Sequence, residues 1–148
     1  AEQSRVTTQT LRTMSRGISH IATLLASMEA VLHEGTYVYC VVAHDADVNE
    51  FTPVTTVREA EGLTLVIPEE QAIQAGLTIL FRAAWITLSV HSDLQAVGLT
   101  AAFSTTLGQA GISCNVVAGA FHDHIFVPVE QAQSALITLR ALQHGSNP

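Results

Sequence analysis

Val66-Ile67-Pro68-Glu69-Glu70-Gln71-Ala72 returns in the second half of the chain as Phe126-Val127-Pro128-Val129-Glu130-Gln131-Ala132. Each copy reads as an apolar strand end, a proline and the opening turn of a helix. Proline is tolerated there because an N–H in the first helical turn has no intrahelical acceptor. Upstream, Val41-Val42-Ala43 corresponds to Val116-Val117-Ala118. The economical reading is a duplicated supersecondary unit. Each half reads helix, strand, strand, helix, with the longer hairpin in the first half.

The remaining elements are placed around these two junctions. Residues 1–15 form a polar arm expected to be flexible. Ile18, Ile21, Leu25, Met28 and Leu32 follow helical spacing, which predicts an amphipathic helix ending near Gly35. Thr36–Ala43 reads as a strand and His44–Pro53 as an exposed polar loop. Val54–Val57 and Leu63–Ile67 read as strands flanking Glu59-Ala60-Glu61-Gly62. Ile79–Val90 is a long β-prone run, with two strands broken near Arg82 as the alternative. A long helix is expected from about Asp93 to Ala110, ended by Gly111. Ile112–Ala118 and Phe121–Val127 read as paired strands, and Pro128 opens a last helix with Ala132, Leu136, Leu139 and Leu142 on one face. Strand, helix, strand, strand, helix implies a right-handed crossover onto one face of an antiparallel sheet, an α+β architecture.

Composition narrows the function classes. The chain has 148 residues, enough for a sizeable core. Hydrophobic residues make up 48% and charged residues 13%, which excludes a disordered chain. The thin charged coat points to apolar surface covered by another copy, so a homo-oligomer, a homodimer in the simplest case, is expected. With a net charge of −7 and six Lys and Arg, no basic stripe exists to neutralise phosphates, and nucleic acid is not an expected partner. No apolar run approaches the roughly 20 residues that span a bilayer, so no membrane partner is expected. Ala1-Glu2-Gln3-Ser4 lacks the basic start and apolar core of a signal peptide, and a cytoplasmic location is the expectation. Cys40 and Cys114 sit in apolar runs and read as buried free thiols, with a disulfide as the alternative.

Four runs together resemble the small tandem ACT-domain proteins. They are Val90-His91-Ser92-Asp93-Leu94-Gln95-Ala96-Val97-Gly98-Leu99-Thr100-Ala101-Ala102-Phe103, Gly111-Ile112-Ser113-Cys114-Asn115-Val116-Val117-Ala118-Gly119, His122-Asp123-His124-Ile125-Phe126-Val127-Pro128, and Glu59-Ala60-Glu61-Gly62-Leu63-Thr64-Leu65. The resemblance covers residues 18–143. It implies two interleaved ferredoxin-like (ACT-type) halves, with antiparallel sheets and helices on one face. The N-terminal half is placed at residues 16–78 and the C-terminal ACT domain at 79–145. Met28-Glu29 is followed by Ala30 where that family tends to have proline, so the first helix is expected to run on farther. ACT domains bind amino acids at domain or subunit interfaces and act as regulators. The resemblance therefore implies a regulatory module whose ligand is an amino acid.

Several residues could carry that role. Ser92-Asp93-Leu94-Gln95 has the spacing of a capping box. Its plain reading is a well-capped helix; its functional reading adds free N–H groups and a positive dipole end facing a carboxylate. Gly98 lies one turn inside the expected helix, where it reads as close helix–sheet packing. His122 and His124 are two residues apart in a strand and point to one face, with His91 at the end of another strand. Loosely spaced histidines more often form a polar cluster at a sheet end than a metal site, and neither a metal nor any cofactor is expected. Glu59 and Glu61 share a strand face, as a solvated hairpin edge or as partners for a ligand amine. The expected ligand site thus comprises His91, Ser92, Asp93, Leu94, Asn115, Val117, Gly119, His122 and His124, with Glu59 and Glu61 from the other half. His20, His33, His44 and His144 read as surface residues; Trp85, Phe81 and Phe103 read as core. The alternative function is a small enzyme, a lyase, isomerase or hydrolase, with His91, His122 and His124 as its catalytic cluster. No nucleophile elbow, phosphate loop, CxxC pair or HExxH motif is present.

Overall fold

The computed structural model describes residues 21–89 and 98–145. Among them the elements run in the order α1 (described over residues 21–27), β1 (Glu29–Leu32), β2 (Tyr37–Val42), β3 (Thr55–Glu59), β4 (Gly62–Pro68), α2 (Glu69–Ala75), β5 (Phe81–Ser89), α3 (Leu99–Gln109), β6 (Asn115–Ala118), β7 (Asp123–Pro128), a 3-10 turn Val129–Gln131, and α4 (Ala132–Gln143). The strands form one antiparallel seven-stranded sheet in the order β3-β4-β2-β5-β7-β6, with β1 also paired to β5. No helix among the described residues is long and apolar enough to cross a membrane.

The order β3-β4-β2-β5 in the first half mirrors β6-β7-β5-β1 in the second, so each unit has the ferredoxin-like arrangement. Strand β5 serves both. Phe81–Ala83 pair with Tyr37–Tyr39 and complete the first unit. Ile86–Ser89 pair with Glu29–Leu32, so the second unit takes its outer strand from the N-terminal side of the chain. The other flank of β5 pairs with β7 from Ala83 to Leu88. The repeat's two prolines stand in one row across the sheet, since Pro68 pairs with Tyr37, Tyr37 with Ala83, and Ala83 with Pro128.

Strand periodicity sorts the side chains. Ala30, Ala84, Ile86, Leu88, Ile125 and Val127 face α3 and α4 and are buried against Phe103, Leu107 and Leu139. Val38, Cys40, Leu65 and Ile67 face the same side beneath α2, with Ala72. Phe51 joins this second core from the segment between β2 and β3, where the first unit has no helix. The expected exposed loop is therefore anchored. Phe51 is buried, and Thr52 exchanges two hydrogen bonds with Gln71 of α2. The opposite sheet face carries no helix among the described residues.

Several expectations change. The helix expected from Ile18 stops before Glu29, and Met28, Ala30 and Leu32 belong to the approach and body of β1. Met28 and Leu32, four residues apart, fit period two as well as a helical stripe, and pairing with β5 decides between them. The continuation past Ala30 does not occur. Strand β5 does not break at Arg82, whose guanidinium leaves the sheet to make a bidentate pair with Glu69 at the start of α2. Helix α3 begins at Leu99 rather than running unbroken from Asp93. Gly98 has φ +100°, a left-handed conformation outside any helix, so it is the residue before the helix and not a member of it. β6 begins at Asn115, three residues later than expected. Two sheets were expected, and there is one. Phe103 is core, but Trp85 and Phe81 lie half-buried on the helix-free face.

Ile86 is fully buried at the centre of the shared strand, so truncating it leaves a cavity in the core. Ile86→Ala is expected to cost about 2–5 kcal/mol in urea unfolding. Ile137→Ala, on the exposed side of α4 at 68% exposure, is expected to change stability by less than about 0.5 kcal/mol. Equal effects at the two sites would contradict the assignment of β5 to the core.

Candidate functional site

The register around β5 gathers the polar groups. β1 and β2 both pair with β5, but His33–Thr36 stand opposite only Ala84 and Trp85. The extra residues form a bulge, with Gly35 at φ +91° and the His33 N–H bonded to the Trp85 carbonyl at 2.9 Å. The bulge lays the His33 ring flat on Trp85, with ring centroids 3.5 Å apart and planes 9° apart. On the other flank, His124 pairs with Thr87 across β7 and β5.

Trp85 Nε1–H donates to His124 Nδ1 at 3.1 Å. The Thr87 hydroxyl lies 3.1 Å from the same nitrogen and 2.7 Å from His33 Nε2. An indole N–H can only donate, so His124 Nδ1 must be the unprotonated acceptor and Nε2 carries the proton. Protonating His124 would set an N–H against an N–H. Burial, and then the neighbouring His122, hold the His124 pKa below the ordinary imidazole value, while Asp123 opposes them. Burial, and then His124, likewise lower His33. Burial raises the Asp123 carboxyl, partly offset by His124. The site therefore holds two neutral imidazoles at neutral pH, tied through one hydroxyl and one indole. His33, expected to be an ordinary surface residue, is part of this cluster.

The other expected residues divide into three groups. His91, Ser92, Asp93 and Leu94, with the capping box, lie outside the described residues. Asn115 and Val117 stand on edge strand β6 opposite Phe126 and His124. Gly119 bonds its N–H to the His122 carbonyl at 2.8 Å, and a methyl group added to it would stand 3.2 Å from His124 Nε2. His122 is exposed in the turn before β7, so it does not share a strand with His124. Leu88 pairs with Asp123 and Asp123 with Ala118, so β5 ends beside the β6–β7 turn. Glu59 and Glu61 are elsewhere. Glu59 ends β3 and accepts the Thr64 hydroxyl at 2.6 Å, while Glu61 lies in the tight turn before β4. β3 and β6 are opposite edges of the sheet, about 24 Å apart at the usual strand spacing. Within one chain these two carboxylates do not close a site at the β6–β7 turn.

Among the described residues no three His, Cys, Asp or Glu side chains converge as a metal cage. Cys40 and Cys114 are free. Burial raises both thiols, Cys114 to about 11, so neither is held as a reactive thiolate. Burial, with Cys114 adding, also raises the Tyr39 phenol, to about 12.

ACT-domain family models match residues 16–84 and 81–141. No curated protein sequence matches the chain. Among solved structures, it is 50% identical to the Vibrio cholerae protein VC0802, described as of unknown function and a possible transport protein. That likeness covers 86% of this chain and 98% of that one, with a TM-score of 0.79. Protein Atu0741 of Agrobacterium tumefaciens is 15% identical over 78% of this chain and 89% of its own, with a TM-score of 0.62. The regulatory subunit of aspartate kinase from Thermus thermophilus is 10% identical over 80% and 96%, with a TM-score of 0.57. The last two share the fold. The chain is an α+β protein of two fused ferredoxin-like units, and it belongs to the tandem ACT-domain family.

The neutral imidazoles make stability depend on pH. Both folded-state values lie below the ordinary imidazole value of 6.5, so the unfolded chain takes up protons first as pH falls. Their contribution is complete above that value and is lost progressively as pH drops through it. The thermal midpoint is expected to fall between about pH 7.5 and 5.5. His124→Gln keeps an acceptor for Trp85 and cannot protonate, so it should flatten that slope. An unchanged slope in this variant would contradict the cluster's protonation state.

Proposed function

We propose that this chain is a regulatory module that binds an amino acid where the segment following β5 meets the β6–β7 turn. The observation that supports it is the register Leu88–Asp123–Ala118, which starts that segment beside Gly119 and His122. His91, Ser92, Asp93 and Leu94 belong to the segment. An amino acid needs donors for its carboxylate and acceptors for its ammonium. Ser92 and the backbone around it supply donors, and Asp93 and the Asn115 side-chain oxygen supply acceptors. Val117, Gly119, His122 and His124 line the wall. ACT units are regulatory modules for small molecules, and the aspartate kinase subunit with this fold is itself a regulatory part. The same reading makes the chain a cytoplasmic homo-oligomer, without a cofactor.

Thermal-shift screening against the free amino acids tests this. A ligand at 100 times its Kd adds about 2.7 kcal/mol and raises the midpoint clearly. Ser92→Ala, Asp93→Ala and Gly119→Ala are expected to weaken that ligand, and Glu61→Ala at the far edge to leave it unchanged. No response to any amino acid would remove the amino-acid reading. A response that survives all three substitutions would place the site elsewhere.

A further inference from the structure

The helix-free face of the sheet carries exposed apolar side chains among uncharged polar ones, and its pattern is specific. Val31, Val41 and Val57 are 42%, 45% and 47% exposed, high values for valine in a strand. Register puts all three on this face, opposite Thr87, Thr64 and Thr64 respectively. Between them stand Tyr39, Phe81 and Trp85, half-buried and packed edge to face or stacked, over the buried Val66, Ala83 and Phe126. The alternation that hides Ile86 and Leu88 under the helices leaves these side chains with no covering layer among the described residues.

Charge singles the face out further. The chain carries 13 Asp and Glu against 6 Lys and Arg. By register, the described strands place no Lys, Arg, Asp or Glu on this face except Glu29 and Glu59 at its opposite ends. Two copies of a chain with net charge −7 repel across most approaches. They do not repel across this face. A two-fold interface must complement itself. A neutral surface of aromatic and β-branched side chains does so, whereas an acidic surface does not. The face is about 24 Å across six strands and about 20 Å along them. Its projected footprint is roughly 500 Å², against the roughly 800 Å² of accessible surface per partner in a stable pair, and corrugation brings the two closer.

We propose that a second copy of this chain docks on the helix-free sheet face, covering Val31, Val41, Val57 and the Trp85 cluster. The inference rests on the self-association proposed above and names its surface. Trp85 is the only tryptophan, so its emission reports on this face directly.

Analytical ultracentrifugation of the full chain over a concentration series, with acrylamide quenching of Trp85, tests the proposal. The wild type is expected to dimerise, with Trp85 less accessible in the dimer. Val31→Lys/Val41→Lys, with circular dichroism unchanged, is expected to raise the dimer Kd about tenfold or more. Ile137→Lys, on the outer side of α4, is expected to keep it. Val31→Lys alone serves if the double variant does not fold. A wild-type dimer broken by Ile137→Lys and kept by the lysine variants of this face would overturn the inference and leave self-association standing. A wild type monomeric throughout would overturn both. A monomer in which deleting residues 1–20 newly exposes Trp85 would mean that the chain's own arm covers the face, and the inference would fail.

Discussion

The structure depends on one strand being hydrogen-bonded to three others. β5 pairs with β7 along one flank and with β2 and then β1 along the other. Neither unit has its fourth strand without it, because Phe81–Ala83 complete the first and Ile86–Ser89 hold the outer strand of the second. The near-continuous burial of β5 follows. Ala83, Ala84, Ile86, Thr87 and Leu88 are all buried, as expected for a strand with neighbours on both edges and a layer of helices on one face. The small Ala83 and Ala84 stand where the two units meet, and Arg82 escapes burial by reaching Glu69.

The same constraint produces the polar cluster. Feeding β1 and β2 past one strand in different registers leaves four residues, His33–Thr36, opposite two. The surplus must leave the ladder, and His33 lands on Trp85. Thr87 and His124 are then brought within hydrogen-bonding distance by the β5–β7 pairing. The cluster is thus a product of the seam between units. Its pKa shifts follow from packing two imidazoles around one hydroxyl and one indole, away from full solvation.

Local signals in the chain carried the parts of this that are local. The Pro68 and Pro128 junctions, the Gly111 helix end and the Leu63–Ile67 strand were legible, because each expresses backbone chemistry within a few residues. The duplication and the α+β class followed from them. The first helix was misplaced at its end because Met28 and Leu32, four residues apart, satisfy both periods. Only the partner strand, more than fifty residues away, decides between them. His33 and Trp85 were assigned to surface and core for the same reason, since nothing near either residue announces a bulge that stacks them. Glu59 and Glu61 were assigned to the ligand site as partners for a ligand amine, on the expectation that the two halves come together there. Side-by-side fusion in one sheet instead sends the two hairpins to opposite edges.

If β5 joins the two units into one cooperative structure, then neither can open without the other. Hydrogen exchange under native conditions at increasing urea measures this directly, amide by amide. The account predicts that the amides of Phe81–Ser89 exchange only through global unfolding, with protection in β2, β4 and β7 lost at the same free energy. Loss of protection in β2 and β4 at a lower free energy, with β5–β7 still closed, would contradict it. The two units would then be separable domains that merely share a chain.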